Sequence, residues 1–395
     1  MKVEDEKRKF ILRIYDFKPE SLLTPAEIAM VSEKVGKGEK IFLFDKGLRL
    51  YDTALCTILC QIDRNGYVHG PTSVPSLFTI VEELDDNDLS QLNLDTGDLH
   101  IGWVRVGHRI TPIKVSLHGS KTIPHHILVC GVTGAGKSNL GKVLAASIMI
   151  TDQPRYSLVL FDCESEYFNG GDVGHLGLAH LPHAERRLFY VSQDVDEPTR
   201  LEFTFRVDGI ELTRTITAHP LLVNYNDLTP SDFAMTGEFT GPQEELLWLA
   251  YKHFEENWLA TLVNSPVQDL YRRLRRLVSV NTINVTKRKI KYMLGKGEIF
   301  REDVEYDLLS AILGAVSEGK VVLVDIPHAT EGEEKLLSAT VARRIFKTYE
   351  RLKKDLPDIW NKLPYVLIMV EEAHRYLAKQ NLTSSGEIRE NIFSI

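Results

Sequence analysis

Within this 395-residue chain, the spacing Gly131-x-x-x-x-Gly136-Lys137-Ser138 carries the most specific chemistry. It reads in full Gly131-Val132-Thr133-Gly134-Ala135-Gly136-Lys137-Ser138, with Asn139 next. Glycines let a backbone turn its N–H groups inward around phosphate oxygens, and a side chain at Gly134 or Gly136 would obstruct that approach. A helix starting just after the loop aims its positive end at the same phosphates. Lys137 is then placed for the β- and γ-phosphates of a nucleoside triphosphate, and the Ser138 hydroxyl for Mg²⁺. Gly131 to Asn139 are the nucleotide-binding candidates, among which Thr133 reads alternatively as shaping the loop and Asn139 as an ordinary first-turn helix residue.

The second requirement of phosphate-ester chemistry is a pair of acids. Two strands end in candidates. Lys320-Val-Val-Leu-Val-Asp325 is followed by Ile-Pro-His, with no adjacent carboxylate. Tyr365-Val-Leu-Ile-Met-Val-Glu371-Glu372 has two. Successive strand side chains face opposite ways, so neighbouring acids divide two jobs: Glu371 for the metal shell and Glu372 as general base for the attacking water. Asp325 is then a structural carboxylate, capping or paired with Arg343 or Arg344. Asp162-Cys-Glu164-Ser-Glu166-Tyr167 adds a third acidic turn, where ligands of open α/β sheets bind. Asp162 and Glu166 are candidates to support the metal site from behind; Glu166 either reaches the catalytic water or the hydration of Mg²⁺ or caps its loop. His374 either senses the γ-phosphate or packs.

These residues need a parallel sheet to position them. Ile127 to Cys130 has the composition of a buried parallel strand leading into the loop, and Asn139 to about Ile150 that of the following helix. From Ile123 onward strands alternate with helices: Tyr156–Asp162, Leu188–Ser192 and Leu201–Phe205, then the two acid-bearing strands. Residues 228–317 interrupt as a mainly helical insertion, with one helix over Glu244–Leu262 and another over Val267–Val278. The arginines of Tyr271-Arg-Arg-Leu-Arg-Arg-Leu277 and the cluster Lys287-Arg288-Lys289-Ile-Lys291 read first as solvated faces, and second as phosphate-contacting or intersubunit surface. Residues 1–118 form a separate unit of short strands, including Lys40–Phe44, without helical crossovers, which predicts a small barrel or sandwich. One helix interrupts it, with Thr24 as N-cap, Pro25 at its first position and Glu27 completing a capping box.

The net charge of −8 excludes a protein coated in basic surface, but not one that concentrates positive charge in a groove or ring. No apolar run approaches the ~18 residues that cross a bilayer, and the charged N-terminus lacks a signal segment, so a cytoplasmic location is expected. Cys56 and Cys60 have no partner pair at zinc spacing and read as reduced thiols.

Taken together, the β-rich start, the loop at 131–138, the Asp162-x-x-x-Glu166-Tyr167 turn, the insertion and Glu371-Glu-Ala-His374 resemble the HerA family of hexameric DNA translocases in the HerA/FtsK superfamily. That resemblance implies an N-terminal barrel of the type shared with ATP synthase subunits and a RecA-like P-loop ATPase core over 119–395. It implies ATP and Mg²⁺ as cofactors, a homo-hexameric ring with double-stranded DNA in its pore, and a partner: a NurA-like nuclease or another effector enzyme, in end processing or anti-phage defence. The alternative is a nucleotide-binding ring scaffold that assembles the effector without translocating. Only 23 residues follow Glu372, and the helix opening near Ser385 carries no stop signal, so a truncated C-terminus is expected.

Overall fold

The computed structural model describes residues 1–5, 8–38, 49–171, 175–207 and 209–372. The expected strand Lys40–Phe44, His374 and the helix near Ser385 all fall outside these. The chain divides into two units, Met1–Asp95 with Trp103–Val115, and Thr96–Gly102 with Ser116 onward.

In the first unit, β1 (Lys2–Glu4), β2 (Arg8–Ser21), β3 (Leu50–Asp63), β4 (Val68–His69) and β5 (Val81–Glu82) form one antiparallel sheet in the order β4-β3-β2-β1-β5. A separate hairpin follows, β6 (Leu99–Val106) with β7 (Arg109–Leu117). The described strands thus make an open sheet and a hairpin; closure into the expected barrel is not seen among them, and both edges of the sheet are only two residues long. Its small core is Val3, Phe10 and Leu12. Pro25–Gly36 is a helix with the expected cap: Glu27 N–H donates to Thr24 Oγ1, and Glu27 Oε2 accepts from Thr24 N at 2.8 Å.

The second unit is built on a six-stranded sheet. In chain order its strands are β8 (Tyr156–Asp162), β9 (Leu188–Ser192), β10 (Thr199–Val207), β11 (Ile210–Pro220), β14 (Val321–Asp325) and β15 (Tyr365–Val370), with the short pair β12 (Val223–Asn224) and β13 (Phe300–Arg301) outside it. The order is β10-β11-β9-β14-β8-β15, parallel throughout except for the β10–β11 hairpin. Strand alternation explains why the centre reads as continuous apolar sequence. Val159 and Phe161 of β8 enter one core with Val322 and Val324, while Leu158 and Leu160 enter a second with Val321 and Leu323. The second core receives the helix Lys137–Ile150 through Ala145, Ile148 and Met149. The first receives the insertion and the long helix Glu331–Asp355.

Three local expectations are corrected. Ile127–Cys130 is not a strand: among the described residues β15 pairs only with β8, this segment has no ladder neighbour, and Leu128 is left 74 % exposed. The helix expected over Glu244–Leu262 breaks into Gly241–Phe254 and Trp258–Asn264, because Glu255 adopts φ +51°. The helix expected over Val267–Val278 ends at Arg273.

Candidate functional site

The phosphate-loop candidate is open and conformationally set. Gly134 and Gly136 have φ of +78° and +90°, a region that disfavours side chains, and a Cβ at either would meet nothing within 4 Å. Glycine is thus needed there for backbone geometry, and the space in front of the loop is free. The helix starts at Lys137 with Gly136 as N-cap, and no side chain caps its first-turn N–H groups. Gly131 to Gly136 are exposed, Lys137 and Ser138 half-buried and Asn139 exposed. Lys137 Nζ donates to the Val132 carbonyl of its own loop at 3.4 Å. Uncapped donors, a dipole and a cation facing open space fit an oligophosphate.

Register brings acids together at the same edge of the sheet. Asp325 of β14 lies beside Asp162 of β8, and Val370 of β15 lies beside Phe161, so Glu371 follows at the level of Asp162. Three neighbouring strands thus end in carboxylates. Asp162 is spent on its own turn, accepting from the backbone N–H of Glu164 at 3.2 Å, Glu166 at 3.3 Å and Tyr167 at 2.8 Å. Asp325 accepts from Ser165 Oγ at 2.7 Å and Tyr190 Oη at 2.9 Å. The expected arginine partners are elsewhere: Arg343 binds Asp232 and Arg344 binds Asp227. Those aspartates sit at the start of the insertion, about a hundred residues away in sequence, a distance no local spacing encodes.

The turn that Asp162 shapes delivers Tyr167, whose role the sequence alone left unassigned. Its buried phenol donates to Glu371 Oε1. Burial first, and then the Glu371 carboxylate, raise the phenol's pKa well above its ordinary value, so the proton stays on Tyr167. The ring lies against Gly141 of the helix that starts at Lys137. A Cβ on Gly141 would come within 2.4 Å of Tyr167 Oη and 3.3 Å of Met369 Sδ. Gly141 is one helical turn from Lys137 and on the same face. The lysine-bearing turn, Tyr167, Met369 and Glu371 are therefore packed together. A glycine inside a helix was the available signal, since it costs ~1 kcal/mol against alanine unless something approaches closely. Lys142 adds a 3.9 Å ion pair to Glu166. Glu372 lies just beyond β15, exposed, at φ +47°. The strict alternation expected of adjacent acids does not reach them, because the strand ends at Val370.

The acid row has a cost that pH reveals. Burial raises the Asp325 pKa in spite of its two hydroxyl donors, and burial together with the charge of Asp325 raises that of Asp162. Raised carboxyls favour the folded state most below their unfolded values of about 4, and that stability is lost as pH rises through the folded values. Asp325→Asn is therefore expected to raise the thermal midpoint at pH 8, with the gain shrinking toward pH 4. Unfolding scans across that range check it, and a lower midpoint at pH 8 contradicts it.

No helix among the described residues is long and apolar enough to cross a membrane. No curated protein matches the chain. A family model described as "Helicase HerA, central domain" matches residues 99–345, well over half of the chain, including the glycine loop, the Asp162–Tyr167 turn and Asp325. With a mainly parallel sheet flanked by helices and that match, the chain belongs to the HerA helicase family, whose central domain is an ATPase of the HerA/FtsK type.

Proposed function

We propose that this protein is a cytoplasmic, ATP-driven motor on double-stranded DNA, working as a six-membered ring with a nuclease or other effector enzyme as partner. Gly131 to Ser138 bind the phosphates, and Lys137 neutralises charge on the β- and γ-phosphates. Ser138 and Glu371 would hold Mg²⁺, which when bound would supply Lewis-acid stabilisation of the transferring phosphoryl group. Glu372 orients and deprotonates the attacking water. Tyr167 holds Glu371 toward the first turn of the loop's helix, and Asp162 holds Tyr167.

The observation that carries this reading is the packing of Tyr167 between Gly141 and Glu371, because it ties the lysine-bearing turn to the double-glutamate strand end. The family supports the ATPase; the duplex substrate, the ring and the partner are inferences from it. Steady-state ATP turnover with and without duplex DNA tests the motor. Stimulation several-fold by duplex is expected. Turnover that is weak and indifferent to DNA, alongside ATP-dependent oligomerisation, would replace the motor with the assembling scaffold.

A further inference from the structure

Between Leu270 and Gly297 the chain carries nine lysines and arginines and no aspartate or glutamate, in a protein whose net charge is −8. This stretch is a single supersecondary unit: the end of the helix Val267–Arg273, a turn, and the helix Val280–Leu294 packed against it. Part of its charge is used inside the fold. Arg272 pairs with Asp269 at 3.3 Å, Arg273 lies 4.6 Å from the Phe254 ring centroid, Lys287 Nζ donates to the Ser265 carbonyl, and Lys289 Nζ donates to Gln243 at 3.0 Å. Five cations are not: Arg275, Arg276, Arg288 and Lys291, and beyond the helix Lys296, are exposed and make no ion pair among the described residues, and the first four lie on the turn and the helix themselves.

Two features set these four apart from a solvated face. The helix ends in a Schellman geometry, with Arg276 N–H donating to the Tyr271 carbonyl at 2.9 Å. Arg275 occupies the left-handed position of that motif at φ +54°, and Arg276 follows at φ +59°. Glycine or asparagine is the residue the backbone favours there, so two successive arginines are opposed by local stability. On the next helix, Asn281, Asn284, Arg288 and Lys291 recur at three- and four-residue steps as one exposed stripe opposite buried Ile283, Ile290 and Met293. From Asn281 to Lys291 that stripe runs about 15 Å at 1.5 Å per residue.

We propose that the 270–297 turn and helix form a docking face for the phosphodiester backbone of nucleic acid, separate from the nucleotide loop, with Arg275, Arg276, Arg288 and Lys291 as its phosphate contacts. Unpaired arginine forks and lysines spaced along a helix suit a regular array of anionic oxygens. Preferring nucleic acid over an acidic protein rests on the duplex-motor reading above.

The test is duplex DNA binding by fluorescence anisotropy on the full chain, without nucleotide, over a salt series. Arg275→Gly/Arg276→Gly is the informative variant, because it relieves the left-handed backbone while deleting both charges. Its thermal midpoint is expected to equal or exceed wild type, so weaker binding is not misfolding. Duplex affinity at 0.1 M salt is expected to fall about tenfold or more, and the log–log salt slope to flatten by about two. Arg288→Gln/Lys291→Gln is expected to do the same, with DNA-independent ATP turnover unchanged in both. Unaltered affinity and slope in both variants would overturn the proposal, as would wild-type protein that binds polyglutamate but not duplex. Duplex binding that depends on these residues without any DNA effect on turnover would keep the docking face and remove the motor.

Discussion

Lys137→Ala is expected to lower ATP turnover by about 10²- to 10³-fold, the usual consequence of deleting one preorganised group that stabilises transition-state charge. The fold should be indifferent. Among the described residues Lys137 makes one hydrogen bond, at 3.4 Å to the carbonyl of Val132 in its own exposed loop, so the change should stay within about 0.5 kcal/mol in stability. Steady-state turnover paired with a denaturant titration separates the two effects. Lys137→Arg should not rescue, because a planar fork does not replace a compact ammonium in a loop whose glycines set a fixed approach. Residual turnover near wild type in Lys137→Ala would mean that hydrolysis occurs elsewhere.

The largest expected effect on stability lies far from the loop. Asp232 is fully buried and holds Arg343 by two bonds, one from Arg343 Nε and one from Nη2 at 2.8 Å. It also closes the capping box of the insertion's first helix, accepting from Thr229 N at 2.7 Å. Asp232→Ala strands a mostly buried guanidinium and removes the cap, so a loss of about 3–5 kcal/mol is expected. That is a large share of the 5–15 kcal/mol typical of a folded domain. Adding Arg343→Met should recover part of it, since the remaining charge is then no longer unpaired. Equilibrium unfolding of both variants checks the pair. A loss under about 1 kcal/mol for Asp232→Ala would show that the insertion is not held to the long helix in this way.

Legibility in the sequence followed the range of the interaction. The glycine loop, its helix and the Thr24 capping box are local patterns, and each stands where spacing put it. The parallel core was readable because strands buried on both faces are continuously apolar. What failed required knowing neighbours. Ile127–Cys130 has a strand's composition, but a strand exists only with a ladder partner. The partners of Asp325, Arg343 and Arg344 come from segments about a hundred or more residues away. Tyr167 was visible as part of a motif and Gly141 as a helix glycine, yet only packing reveals that each explains the other. The turn after Arg273 was hidden for the opposite reason: arginines stand where a glycine would have announced the helix end.

The most direct test of the central claim is a structure of the chain with Mg²⁺ and a non-hydrolysable ATP analogue. The account predicts triphosphate oxygens on the backbone N–H groups of Gly134 to Ser138, Lys137 turned from the Val132 carbonyl to the γ-phosphate, and Glu371 in the hydration shell of the metal beside Ser138. A nucleotide bound elsewhere, or seated in the loop with Glu371 and Glu372 both remote from the γ-phosphate, would contradict it.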